Sequence, residues 1–92
     1  MERPTNVIHV REGSARSYAM AAELVLKESG SVTMRAVGRA INVLVDAEEI
    51  IKREVPGAAL EKVEIGTTEV ETLNGRRIKR SFMELVISVK PP

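Results

Sequence analysis

"SVTMRAVGRAINVLVDAEEIIKREVPG" (residues 31–57) changes its hydrophobic period in the middle. Up to Val37 the residues alternate. Val32, Met34 and Ala36 fall on one side, with Thr33, Arg35 and Val37 on the other, which is the two-residue repeat of a strand. Beyond Gly38 the apolar residues Ile41, Leu44, Val45, Ile51 and Val55 form a helical stripe. Pro56-Gly57 ends it, because proline cannot continue a helix. A strand over 31–37 thus feeds a helix over about 39–55 through a single glycine.

Working outward, "NVIHVR" (6–11) is short and rich in β-branched residues and reads as a buried strand. Ser14 can cap a helix that runs to about Ser29, with Gly30 as its stop. Its stripe is Tyr18, Ala22 and Val25, with Leu24 beside them. On the other side, two long strands at about 60–73 and 76–89 flank Asn74-Gly75, the strongest short signal for a hairpin turn. The order is β-α-β-α-β-β. It predicts a single domain, residues 1–92, of the α/β class. This is a two-layer sandwich whose mixed sheet carries a long protruding C-terminal β-hairpin.

A two-residue loop at Asn74-Gly75 pairs 73 with 76, 72 with 77, 71 with 78, 70 with 79 and 69 with 80. Glu69 and Glu71 then share a face with Arg76 and Arg80. Arg77 and Lys79 lie on the other face with Thr72 and Val70, free of acids. Lower down, Val63, Ile65, Met83, Leu85, Ile87 and Val89 all suit the core. Simple pairing places the first two opposite the rest, so one extra residue is required, and Gly66 is the natural site for that β-bulge.

The chain has 92 residues, 14 basic against 13 acidic, and a formal net charge of +1. It contains no Cys, which excludes disulfides and thiolate metal sites. No apolar run reaches the roughly 18 residues of a membrane span, and no signal-peptide pattern is present. The expected location is cytoplasmic. A domain this small often gains stability by dimerising.

The charge is polarised. Residues 42–74 hold eight acids and three bases, whereas 76–80 hold four bases and no acid. In an open α/β sheet, ligands gather at the carboxyl ends of the parallel strands. Arg11 and Arg16 flank the turn after the first strand, and Arg35 and Arg39 flank the turn after the second. The third strand runs the same way, so its far end brings Arg76, Arg77, Lys79 and Arg80 to the same side. Arg39 stands at a helix N-terminus, where the dipole disfavours a cation unless an anion is bound. Eight cations from three segments therefore point to a polyanion. A solvated, charged hairpin that protects a sheet edge from aggregation is the plainer alternative.

Catalysis finds little support. His9, the sole histidine, lies in a strand, and Glu69 and Glu71 stand opposite cations. No phosphate-binding loop, zinc spacing or nucleophile elbow occurs. The reading requires no cofactor and no metal.

The segments "NVIHVREGSARSYAMAAELVL", "MRAVGRAINVLVDAEEII" and "NGRRIKRSFMELVI" together resemble the Alba family of archaeal chromatin proteins over nearly the whole chain. The most specific part is "GRAI" with Asp46 beyond it. The resemblance implies a homodimer that binds double-stranded DNA, and RNA as well, with little sequence preference. Its two hairpins would act as arms along the minor groove. It would be associated with the chromosome, coating or condensing DNA. The resemblance matches Arg39 to the second Arg of the family's Arg-Gly-Arg motif and Arg35 to a basic position before it. Gly75, Arg76 and Lys79 match the basic arm. Val37 stands where the motif's first Arg would be. Glu12-Gly13 replace the Lys pair that carries acetylation in some members, and Val55 replaces a Phe used between dimers. The expected contacts are Arg11, Arg16, Arg35, Arg39, Arg76, Arg77, Lys79 and Arg80. Two other readings use the same surface: a ribonucleoprotein subunit or RNA chaperone, and a module that docks an acidic protein.

Overall fold

The computed structural model describes residues 7–90. Six elements follow in the expected order: β1 (Val7–Val10), α1 (Ala15–Ser29), β2 (Ser31–Val37), α2 (Ala40–Glu54), β3 (Ala58–Glu71) and β4 (Arg77–Val89). Asn6, expected to open the first strand, lies outside the described residues. Among the described residues no helix is long and apolar enough to cross a membrane.

Local chemistry sets the helix ends. Ser14 Oγ accepts a hydrogen bond from the Ser17 amide, and Gly30 takes a left-handed φ of 79° while its amide donates to Leu26 O. That conformation suits glycine, which has no Cβ to clash. The helices bury small residues where they meet: Ala19 and Ala22 on α1, Ala40 and Ala47 on α2. Small side chains let the two helices pack closely against each other and over β2. The expected stripes hold at Ala22, Leu44 and Ile51, which are buried, and are displaced elsewhere. Ala19 and Leu26 are buried rather than Tyr18 and Val25, which are half-buried, and Leu24 and Val45 are exposed.

The sheet order is β1-β2-β4-β3. β1 pairs parallel with β2, and β4 lies antiparallel between β2 and β3. β3 therefore runs the same way as β1 and β2 without bonding to either. Val10, Val32, Met34, Ala36, Leu85 and Ile87 point to the helix side and complete the core with Leu44 and Ile51. Thr33, Arg35, Val37, Phe82, Glu84 and Val86 occupy the opposite, open side.

The hairpin register differs from the two-residue-loop expectation. Glu71 pairs with Arg77, Val70 with Ile78, Glu69 with Lys79 and Thr68 with Arg80. Residues 72–76 form a five-residue loop, in which Thr72 N donates to Arg76 O and Gly75 N to Thr72 O. Gly75 there has φ 80°. This is one residue off the expected pairing, and a one-residue slip exchanges the faces. Arg77 and Lys79 thus share the helix side with Glu69 and Glu71. Arg80 shares the open side with Thr68, Val70 and Ile78 and has no acid beside it.

The bulge is also elsewhere. The register shifts between Leu60 and Lys62, so Glu61 is the extra residue and Gly66 is not. Gly66 has a different role. A Cβ there would lie 2.8 Å from the Phe82 ring, so only glycine lets that ring cross the strand. The bulge does put Val63 opposite Leu85 and Ile65 opposite Met83, on the core side as the sequence demands. Yet both remain bare, at 51% and 69% exposed, because the helices lie mainly over β2, away from the edge strand β3.

Candidate nucleic-acid interface

β2 pairs with β4 only as far as Val37–Phe82. Beyond that point residues 67–81 form a free two-stranded arm, about 17 Å from Phe82 to Arg77 at some 3.3 Å per residue, plus the loop. Its root is tied to the β2–α2 turn, where Gly38 N donates to Ser81 O at 2.8 Å. Gly38, at φ 63°, turns the chain there, and the Arg80 stem lies across it, 3.6 Å from where a Cβ would sit.

A cleft of about 480 Å³ opens between this root and the carboxyl ends of β1 and β2. Arg11, Arg35, Arg39 and Arg80 line it, with His9, Glu12 and Val70. Four of the eight expected cations, from three separate segments, are thus brought to one concavity. Arg39 is the N-cap of α2. No side chain caps that end, and the first turn holds no acid. The positive end of the helix dipole therefore adds to the guanidinium rather than offsetting it. Arg11, Arg39 and Arg80 form no ion pair with described residues.

Arg35 is held in place. Its Nη1 lies 3.5 Å from Glu84 Oε1, and its guanidinium is 4.2 Å from the centre of the Phe82 ring. Stacking on the ring fixes the guanidinium plane at the floor of the open side. No single segment could reveal this contact, because it depends on β4 lying next to β2. The same adjacency makes Val70 and Arg80 a wall of the cleft.

On the arm, Arg77 Nη1 is 3.5 Å from Glu69 Oε1 across the helix side. Both partners are well exposed, so the pair contributes little to stability. Arg76 and Lys79 form no ion pair with described residues. Asn74 and Gly75 at the tip are open to solvent.

Arg16 is not brought into the cleft. It is bonded to Glu54, at the opposite end of α2 from Arg39, about 20 Å away at 1.5 Å per residue. Hydrogen bonding from Arg16 holds the Glu54 carboxyl below its usual range, and the bond to Glu54 raises the Arg16 pKa. Burial first, and the neighbouring Glu54 second, push the Glu23 carboxyl upward. No local signal marks this cluster, since Arg16 and Glu54 are 38 residues apart.

Comparison with known proteins agrees with this architecture. The Alba family model matches residues 6–69. The DNA/RNA-binding protein Alba of Methanocella arvoryzae is 31% identical over 84 residues, covering 89% of this chain and 88% of that protein. The protein of the same name from Methanococcus maripaludis is 26% identical over 85 residues, covering 89% and 96%. Among solved structures, Alba from Thermoplasma volcanium superposes with a TM-score of 0.82 at 24% identity, over 90% of this chain and 99% of that one. An Alba protein from Trypanosoma brucei gives 0.68 at 21% identity, over 95% and 72%. At these identities the structures speak to the fold, whereas the family model spans more than half the chain. The chain belongs to the Alba family.

Proposed function

We propose that this protein binds double-stranded DNA without sequence preference, and RNA by the same surface, and that it coats or compacts DNA as a homodimer. The observation that carries this reading is the cleft. Arg11, Arg35, Arg39 and Arg80 converge at the positive end of α2, and the acid-free open side of the arm continues from it. Arg76, Arg77 and Lys79 extend the surface toward the tip. Arg16, engaged by Glu54, contributes least. Binding then draws mainly on phosphate contacts and the release of condensed counterions. The names of the archaeal relatives, as DNA/RNA-binding proteins, support the same reading. Apart from His9 no aromatic ring lines the cleft, which favours duplex over unstacked single strands.

Duplexes of equal length and unrelated sequence are expected to bind within about tenfold of one another, or roughly 1.4 kcal/mol. Affinity should fall steeply with salt. A single site preferred a thousandfold over the rest would defeat a packaging role. Capture of an acidic protein, with no duplex binding, would favour the docking module.

The dimer rests on a second observation. Leu60, Val63 and Ile65 lie bare along the helix side of β3, next to half-buried Met83. A second copy placed against this edge would bury them, at roughly 25 cal/mol per Å² of apolar surface removed from water. Ile65→Lys puts a charge in the middle of that strip. Sedimentation at micromolar concentration should give a dimer for the native protein and a monomer for the variant. A native monomer sinks the homodimer.

A further inference from the structure

Leu73 is the most exposed large apolar residue among those described, at 107% of its reference area. A lone exposed leucine is ordinary, so exposure by itself argues nothing. Its setting does. Leu73 sits in the loop at the far end of the free arm, and that loop is ordered by its own bonds. Arg76 N donates to Thr72 Oγ1 at 3.2 Å, alongside the Thr72 N–Arg76 O and Gly75 N–Thr72 O bonds. On this ordered loop the side chain stands fully outward. From Thr72 to Met83 the chain holds no acid, while Arg76, Arg77, Lys79 and Arg80 line the two sides of the ribbon.

A two-stranded ribbon is narrow enough to enter a groove of duplex nucleic acid. Its cations stop at the phosphates on the groove rim. Leu73 stands beside the tip residues Asn74 and Gly75 and travels in with them, and what it meets there is the base stack, the apolar part of the ligand. Architectural proteins use such apolar tips as wedges that part a base step. We propose that Leu73 is an apolar wedge that inserts against the base stack when the arm enters a groove. This rests on the nucleic-acid reading above and goes beyond it by assigning a residue that deforms the duplex.

A second copy of the chain is a weaker host for the tip. The apolar groove of Met20, Leu24, Val55 and Pro56 is flanked by Glu23 and Glu54. Glu54 is already engaged by Arg16, and burial raises the Glu23 carboxyl above its usual range. Glu54 is thus not free to receive the arginines near Leu73.

The test uses the whole protein and one duplex of about 30 base pairs, prepared intact or with a central mismatch, each carrying 2-aminopurine as a fluorescent reporter of unstacking. The native protein should raise the fluorescence of the intact duplex and prefer the mismatched one, where stacking is already weakened. Leu73→Ala should abolish the fluorescence rise and the preference. It should also bind the intact duplex about tenfold more weakly per engaged arm, or 1.4 kcal/mol, with the slope of affinity against salt unchanged. Leu73→Met should restore most of the signal. If Leu73→Ala matches the native protein in fluorescence and preference, the wedge is refuted and phosphate binding stands. Failure of the native protein to bind any duplex overturns the wedge together with the reading beneath it. Loss of self-association in Leu73→Ala without nucleic acid, with fluorescence unaltered, would place the tip on a neighbouring copy and overturn the wedge.

Discussion

Replacing Arg39 and Arg80 together by Ala is expected to flatten the salt dependence of duplex binding more than any other pair of arm or cleft substitutions. Each phosphate contact contributes a slope of about 0.9 in log affinity against log salt. Two contacts per chain, four in a dimer, amount to up to about 3.6. Over a fourfold rise in salt that is roughly a hundredfold in relative affinity. The two residues stand at the cleft without acidic partners, one at a helix N-terminus and the other on the acid-free side of the arm root. Arg77→Ala with Lys79→Ala should flatten the slope less, because both residues face Glu69 or Glu71 across the ribbon. Their phosphate contacts would compete with carboxylates already present. Thermal melts should barely change for either pair, since exposed charges contribute little to folding. Salt titrations of both double variants decide the matter. A native slope for Arg39/Arg80, or a larger change for Arg77/Lys79, would move the binding surface to the other side of the arm.

Leu44→Ala should destabilise the fold by about 2–5 kcal/mol, the range for deleting a buried leucine and leaving a cavity. Leu44 is fully buried on α2, within the core that Met34 and Ile51 also complete. For a domain of this size each kcal/mol lowers Tm by roughly 4–8 °C, so a fall of at least about 10 °C is expected. Leu24→Ala is the contrasting case. Leu24 is 62% exposed on α1, and its loss should change stability by no more than about 0.5 kcal/mol. Calorimetry of the two variants tests which face of each helix is inward. Equal, small shifts would contradict the packing described here.

The element order was legible because its signals are local. Ser14 and Gly30 mark the ends of α1 through their own hydrogen bonds and φ, and the period change at Gly38 separates β2 from α2. The convergence of Arg11, Arg35, Arg39 and Arg80 was legible because topology alone sends the ends of β1, β2 and β3 to one side. Three features were not. The stripes missed Ala19, Ala40 and Ala47 because alanine carries little hydrophobic weight in a sequence, yet it is what close helix packing requires. The hairpin faces were exchanged because Asn74-Gly75 suits a two-residue loop, while Thr72 and Arg76 close a longer one with their own hydrogen bonds. Gly66 attracted the bulge because glycine permits one. Its contact with Phe82, across a strand pair, has no local signature.

The extra residue at Glu61 and the five-residue loop divide β3 between them into two reading frames. Above Glu61, odd-numbered residues look toward the helices; below it, even-numbered ones do. The arm can therefore grow or shrink without scrambling its chemistry only when both strands change length together. A single insertion in β3 between Lys62 and Glu69 would carry the carboxylates of Glu69 and Glu71 to the side where Arg80 now stands alone. Charges on the arms of two relatives are thus equivalent when they share a side of the ribbon, and distance from the turn is a poor guide to which positions correspond.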